Sequence, residues 1–492
     1  MAENGWDRTN GRPHVVVVGG GIAGLAAAFS LRDKPVRVTV VEASSRIGGK
    51  LSVSEVAGVA VDEGAESTYA NRSRTVGMIK DAGLGDRIMS AGVTAMAIWT
   101  RGEIRRQPAR QFMGVPCDME GLAASGVLSP EGLERARQDL VLPPSERDGD
   151  VSVAEHVGGR FGREVVDRLV DPFLASVFSG RSEILSFEAT LTPLAVAARK
   201  HASLAEAASS LAPRPAEGEE PQPVKVATLR GGLGSLPAAL ADGLLAASPD
   251  ATVRTGARVT GLAQTPNGWR LTVGPASDPE LLDADAVIIA VPAGPAGALL
   301  SGVPGASRAV SALAEVPYAS LATVTLAYPR GAFPGGLSGR GYCGYRVPAV
   351  EGKAVKEVTF TTVKWPHMAG ELEIVRCSMG RIGEEELLQR DDADLVALAA
   401  AEVAEATGVA GAPVASRVSR WEDALPQYTV GHLDRVRRIR ETVADLPGLE
   451  VCGALYDGVG AGVCMATGRK AADQVLAWLR KEAPARPAAV RA

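Results

Sequence analysis

Residues 14–24 read HVVVVGGGIAG, a β-branched run that breaks directly into glycines and then into helix-forming sequence. A continuous valine run is the mark of a parallel strand buried on both faces. The following IAGLAAAFSLRD reads as a helix, and VRVTVVEA at 36–43 as a second apolar strand. Together they form a β-turn-α-β unit of about 30 residues. Within it Gly19, Gly21 and Gly24 are spaced GxGxxG. Gly19 permits the tight turn, Gly21 lets the backbone approach a pyrophosphate, and Gly24 lets the helix pack closely on the strand. The helix N-terminus then offers free N–H groups and the positive end of its dipole to phosphates.

Glu42 closes the second strand 18 residues after Gly24, where an acid can accept from ribose hydroxyls. Immediately beyond lies Arg46-Ile47-Gly48-Gly49-Lys50. This second glycine loop adds another close-approach surface and a cation for the same phosphates. Nicotinamide dehydrogenases do not usually carry it, so FAD is the favoured dinucleotide.

At 492 residues the chain has room for two to four domains, or one large domain with an insertion. A net charge of −5 argues against general nucleic-acid binding, while leaving room for local basic pockets facing an acidic small molecule. Cys117, Cys343, Cys377, Cys452 and Cys464 form no CxxC pair, and His14, His156, His201, His367 and His432 show no metal-ligand spacing. No metal site is expected, and the thiols read as buried and reduced. Residues 1–11 are polar rather than signal-like, and no apolar run approaches the ~20 residues of a membrane span. The expected setting is cytoplasmic.

Further along, 74–90 and 117–215 read mostly as helix, with a start at Ser129 in SPEGLERARQDL. The second half of 203–224, rich in Ala, Pro and Glu, reads as a solvated or disordered linker. Short strands follow from Val253, with Asn267-Gly268 as a hairpin turn before WRLTV. DADAVIIAVPA at 283–293 reads as one buried strand, and 320–328 and 355–363 as sheet strands. A helix covers 394–407, a short strand 449–452 and a closing helix 467–481. Strands of one sheet are therefore expected from the start, middle and end of the chain.

The order GxGxxG, Glu42, RIGGK resembles the FAD-binding start of the amine oxidase and protoporphyrinogen oxidase superfamily. DEGAES at 62–67, DPFLASVFSGRSEILS at 171–186, LRGGLGSLP at 229–237 and VPYASLATVTLAY at 316–328 narrow the resemblance. KWPH at 364–367, LPQYTVGH at 425–432 and CGALYDGVGAGVCMATGRKAA at 452–472 narrow it further, to the bacterial coproporphyrinogen III and protoporphyrinogen oxidases. The matching segments run from about Pro13 to Leu479.

The resemblance implies an α/β fold: a Rossmann-like, glutathione-reductase-like FAD domain, an α+β substrate domain and a helical insertion. The implied boundaries are 1–85, 225–305 and 425–492 for the FAD domain, 86–224 for the insertion with a linker near 210–224, and 306–424 for the substrate domain. Gly19, Gly21, Gly24, Glu42, Arg46, Gly48 and Gly49 would hold the ADP half of FAD. Val259 would meet the adenine through its backbone, and Gly64, Ala65 and Glu66 would lie near the isoalloxazine. Gly453, Gly458, Val459 and Gly460 would approach the flavin and ribityl chain. Many flavoproteins place an aspartate after the glycine of this last strand. Here Ala454 and Leu455 follow Gly453, and Asp457 lies too far along to substitute.

Arg72, Arg346 and Lys364 are the candidate cations for a tetrapyrrole's propionates, which favour arginine partners. His367 and His432 read as structural histidines, and Arg181 as a turn residue. The implied reaction removes six hydrogens from a porphyrinogen, with flavin N5 accepting hydride and dioxygen reoxidising the flavin to give hydrogen peroxide. No general base is assigned. The inserted region is broken by ERDGD, GREVVDR and GEEPQ and looks soluble, which favours coproporphyrinogen III over protoporphyrinogen IX. A flavin amine oxidase or carotene desaturase is the more distant alternative. Expected partners are the tetrapyrrole and dioxygen, with a ferrochelatase-type protein as a candidate product acceptor.

Overall fold

A computed structural model describes residues 11–70, 73–144, 149–212 and 225–482. Five parallel strands form the central sheet, in the order Thr252–Arg254, Arg37–Val41, His14–Val18, Ala286–Ile289 and Leu449–Val451. The start, middle and end of the chain thus meet side by side, as expected. The strand period of two is visible in the packing. Val15 and Val17 face one apolar cluster with the helices Ile22–Ser30, Leu236–Ala247 and Ala461–Glu482. Val16 and Val18 face the other, with Ala293–Leu300, Ser307–Ala314 and His432–Ala444 and an antiparallel meander over 259–284.

The chain moves directly between these two sheets, which corrects the single strand expected at 283–293. The meander ends at Ala284, the parallel strand begins at Ala286, and the Asp285 carboxylate accepts from the His14 N–H at 2.7 Å. The expected hairpin is present, with Val259–Thr265 turning into Gly268–Val273.

A seven-stranded mixed sheet forms the second body, in the order Ala415–Pro426, Tyr318–Pro329, Leu372–Met379, Val355–Phe360, Gly344–Arg346, Ala97–Thr100 and Glu103–Arg106. Its last two strands correct the reading of 86–224 as a helical insertion, since this stretch supplies one edge of the sheet. Ile88–Ser90 is likewise a strand, not part of a helix. Helices fill Met119–Leu211 around a third apolar cluster, and Ser129 caps Pro130–Arg137 by accepting from the Gly132 N–H at 2.9 Å. Of the linker expected near 210–224, residues 210 and 211 instead end the helix Leu204–Leu211, and 213–224 lie outside the described residues, as does candidate Arg72. Among the described residues no helix is long and apolar enough to cross a membrane, and all five cysteines are free and buried.

Hydrogen bonds from buried side chains tie the helical region to the seven-stranded sheet. Gln427 Nε2 donates to the Phe178 carbonyl at 2.7 Å, and Lys356 Nζ donates to Ser179 Oγ at 2.6 Å and to the Gly380 carbonyl. Lys356 is 1% exposed. Burial, with Arg381 adding repulsion, pushes its ammonium down to about 7. The unfolded chain therefore holds this proton up to pH 10.5 while the folded chain releases it near 7, so stability rises with pH across that window. Lys356→Met should abolish this slope. In urea unfolding from pH 7 to 10, the stability difference between variant and parent should shift steadily in the parent's favour as pH rises. Parallel profiles would contradict the assignment.

Candidate functional site

The two glycine loops interlock. Gly19 N–H donates to the Val41 carbonyl at 2.8 Å, and Gly48 N–H donates to the Gly20 carbonyl at 2.8 Å. Glu42 lies just beneath them. Its carboxylate accepts from the Gly20 N–H at 2.7 Å, the Ser44 N–H at 2.8 Å and Ser44 Oγ at 2.7 Å. The Arg46 side chain folds back over its own loop, donating to the Gly49 carbonyl at 2.8 Å. Val259 begins the meander beside this group, because the Ala257 N–H donates to the Glu42 carbonyl at 2.9 Å.

The glycines divide by what a side chain would meet. A Cβ on Gly24 would lie 2.0 Å from the Gly19 carbonyl oxygen, so this glycine serves helix–strand packing. On Gly64 it would lie 2.0 Å from the Lys50 carbonyl oxygen, which seats DEGAES against the end of RIGGK. Gly21, Gly453 and Gly460 have nothing within 4 Å of that position. At Gly453 the φ of +130° itself calls for glycine, whereas at Gly21 and Gly460 neither packing nor a positive φ does, which leaves these two surfaces open to the close approach of a ligand. The helix beginning at Ile22 also lacks a side-chain cap and any acid in its first turn. Its N–H groups and dipole are thus left for an anion. These residues fit the two phosphates and flavin of FAD.

The far wall is held from below. His432 is fully buried, stacks on Tyr428 with ring centroids 3.9 Å apart, and contacts the Leu455 carbonyl through Nε2 at 3.0 Å. Burial pushes His432 down to about 4, so it stays neutral. Tyr428 Oη donates to the Ala454 carbonyl, and Thr467 Oγ1 accepts from the Gly453 N–H at 3.0 Å. Asp457 is exposed and paired with Arg440 at 2.6 Å. Val459, between Gly458 and Gly460, packs against the helical cluster.

Lys364 and Glu66, chosen separately from the sequence, meet in a buried ion pair. The strand expected at 355–363 ends at Phe360, and one helical turn over Thr361–Lys364 carries Lys364 back onto DEGAES. Arg376 joins them, its Nη1 3.6 Å from Glu66 and its Nη2 donating to the Glu63 and Gly64 carbonyls. Burial alone would raise the Glu66 carboxyl, but Lys364 and Arg376 outweigh it and hold it below the usual range. Lys364 is raised in turn, because Glu66 outweighs its own burial. Arg376 was missed because an arginine in LEIVRCSM looks like the solvated face of an alternating strand. Arg346 lies apart from this cluster, donating to Ser176 Oγ at 2.9 Å with its guanidinium 5.3 Å from the Phe173 ring centroid. Arg181 is more than a turn residue, since it pairs with Glu384 at 2.9 Å.

The chain is similar to known flavoenzymes over most of its length. The model of a family described as flavin containing amine oxidoreductase matches residues 22–476. A coproporphyrinogen III oxidase from Bacillus subtilis is 30% identical, covering 96% of this chain and 99% of the relative. One from Mycobacterium tuberculosis is 33% identical, covering 94% of this chain and 96% of the relative. A solved structure from Exiguobacterium sp. 255-15, described as a protoporphyrinogen oxidase, superposes with a TM-score of 0.80 at 26% identity, covering 94% and 98% of the two chains.

Two outcomes follow from this geometry. Gly21→Val should leave the cofactor-free melting temperature unchanged and abolish flavin retention on desalting, whereas Gly24→Ala should lower the melting temperature itself. Equal behaviour of the two would remove the distinction between ligand approach and packing. Lys364→Met should destabilise the fold by about 3 kcal/mol, because it strips the main partner from a buried carboxylate. Adding Glu66→Gln should restore much of that loss in a urea-unfolding double-mutant cycle. Simple additivity would show that the pair is not coupled.

Proposed function

We propose, from the premise that the chain belongs to the flavin-containing amine oxidoreductase family, that it is an oxygen-dependent oxidase of coproporphyrinogen III in haem biosynthesis. The enzyme is an FAD-type oxidoreductase, and its relatives support porphyrin oxidation as the reaction class. The observation that carries the finer reading is the end-to-end match to relatives named for coproporphyrinogen III, spanning the DEGAES, KWPH and 452–472 segments that build the site.

In this reading Gly19, Gly21, Gly24, Glu42, Arg46, Gly48 and Gly49 hold the ADP half of FAD, and Val259 meets the adenine. Gly64, Ala65 and Glu66 border the ring from one side, and Gly453, Gly458, Val459 and Gly460 from the other. When bound, FAD supplies two-electron redox chemistry, used three times to complete the porphyrin, with dioxygen as the final acceptor and hydrogen peroxide released. Lys364 is committed to Glu66, so its role is to fix DEGAES in place while the carboxylate stays ionised. Arg346, half-buried between the sheet and helix Asp171–Phe178 and 3.4 Å from Glu357, is the cation proposed for a substrate propionate, its terminal nitrogens being left for that contact, and Arg72 a second. The neutral His432 and Tyr428 anchor the 453–456 turn beneath the ring. The product, a metal-free porphyrin, suits transfer to a ferrochelatase-type partner.

Protoporphyrinogen IX is the second reading, supported by the description of the structural relative at TM-score 0.80. Aerobic turnover of purified holoenzyme on both porphyrinogens, followed by porphyrin fluorescence, decides between them. A kcat/KM at least tenfold higher for coproporphyrinogen III is expected, together with loss of substrate affinity in Arg346→Met. Preference for protoporphyrinogen IX would move the enzyme to the other substrate, and turnover of neither would overturn the porphyrinogen reading.

A further inference from the structure

One face of the seven-stranded sheet is polar through its centre. In the strand register Arg346 stands beside Glu357, Glu357 beside Ser378, Ser378 beside Thr323, and Thr323 beside Ser419. Residues directly opposite each other share a face, so these five side chains form one row across five antiparallel strands. At ~4.8 Å per strand the row runs about 19 Å. The alternate residues Tyr345, Val358, Cys377 and Val324 point the other way, into an apolar cluster. One end of the row reaches DEGAES, because Ser419 Oγ donates to Glu63. At the other end Arg346 Nε donates to Ser176 Oγ on the helix Asp171–Phe178. Between these two covers Glu357 keeps 23% of its side chain exposed, although its strand has neighbours on both sides. A cleft therefore opens over the middle of this face.

Glu357 is brought onto that face by a local break in the strand. A β-bulge lies between Val355 and Glu357, sending Lys356 to Ser179 and Gly380. Strict alternation would have turned residue 357 toward the apolar side with Val355, and a bulge re-aims it. The lysines that feel its charge, Lys356 and Lys364, are committed to Ser179 and Gly380 and to Glu66. Its ion-pair contact is Arg346 Nε at 3.4 Å, a nitrogen already donating to Ser176 Oγ at 2.9 Å. Among the described residues no hydrogen bond reaches either oxygen of Glu357 or the terminal nitrogens of Arg346. The pair offers a donor fork and a carboxylate acceptor side by side at the cleft.

That combination selects a ligand carrying both carboxylates and N–H donors, since a carboxylate alone would repel an acid that Arg346 attracts. A porphyrinogen is such a molecule, with propionates on its rim and four pyrrole N–H groups at its centre. Its sp³ bridges let the rings tilt, so the four N–H groups can converge on one anion. The porphyrin product is flat and conjugated, with two N–H groups and two imine nitrogens whose lone pairs face the same centre. A carboxylate accepts from the first and is repelled by the second.

We propose that Glu357 recognises the reduced macrocycle by accepting from its pyrrole N–H groups while Arg346 holds a propionate, so that oxidation, which removes two of those N–H groups, loosens the product. The proposal rests on the porphyrinogen reading and adds to it a residue that tells substrate from product.

The test uses FAD-loaded enzyme and two constants: KM for coproporphyrinogen III in aerobic turnover, and Kd for coproporphyrin III from fluorescence titration without turnover. Glu357→Gln keeps the shape, removes the charge and adds a donor for the imine nitrogens. It should raise KM at least tenfold and tighten coproporphyrin III binding at least threefold, at unchanged melting temperature. Arg346→Met should weaken both ligands. Glu357→Asp keeps the charge and should restore most of the preference for the reduced macrocycle. A merely structural Glu357 would lower the melting temperature or weaken both ligands together. Either result, or no change in the two constants, overturns the proposal and leaves the porphyrinogen reading standing. Turnover of neither porphyrinogen by the parent enzyme removes that reading, and the proposal with it.

Discussion

Pairing between strands that are hundreds of residues apart holds the molecule together. Val15 pairs with Ala286, and Val287 with Leu449, in a parallel sheet whose neighbours come from separate passes of the chain. Parallel pairs need crossover connections, so each return to the sheet leaves an excursion to be folded elsewhere. The excursion between residues 41 and 252 builds the hairpin, the helical cluster and one edge of the second sheet, and that between 289 and 449 builds most of the rest. The carboxyl ends of the central strands, where ligands of open α/β sheets bind, carry both glycine loops and the 453–460 turn.

The Glu66–Lys364–Arg376 cluster gives these bodies a fixed relation. It joins the segment after the hairpin to the second sheet through a carboxylate that is 9% exposed. Such a cluster is weak evidence for net stability, because desolvation offsets much of the attraction. Its consequence is geometric. With Arg376 also holding the Glu63 and Gly64 carbonyls, the backbone of DEGAES is clamped from the side opposite the RIGGK loop. The segment expected beside the flavin is therefore rigid on two sides, which suits a surface that must position a reacting ring.

What was legible in the sequence was what local physics decides. Gly19, Gly21 and Gly24 announce a turn, an approach and a packing contact because each role excludes a side chain. The valine run at 15–18 announces burial on both faces, and Asn267-Gly268 its hairpin. Ala97–Thr100 was not legible, because a four-residue strand acquires its identity from pairing in parallel with Tyr345 and Arg346, far along the chain. The turn at Thr361–Lys364 was hidden by β-branched residues that continue the strand pattern of 355–360. Glu66 and Lys364 were each legible as charges in conspicuous motifs, but 298 positions separate them, and no spacing rule spans that distance.

Net charge is a poor guide to such a site, for a reason the ion pairs make plain. Exposed pairs such as Arg270–Asp283 and Arg437–Asp434 account for many of the acids, and pairs of this kind contribute little to stability. Meanwhile Lys356 and Arg381 are 1% exposed, and Lys364 and Arg376 are turned inward around a single carboxylate. Against them along the seven-stranded sheet stand the buried acids Glu63, Glu66 and Glu373, and Lys356 releases its proton near pH 7, so the interior charges are matched locally rather than through the net charge of −5. In that low-dielectric setting each charge acts more strongly than any exposed one. The field along this sheet is therefore set by which buried charges are paired with which, an arrangement the overall composition conceals.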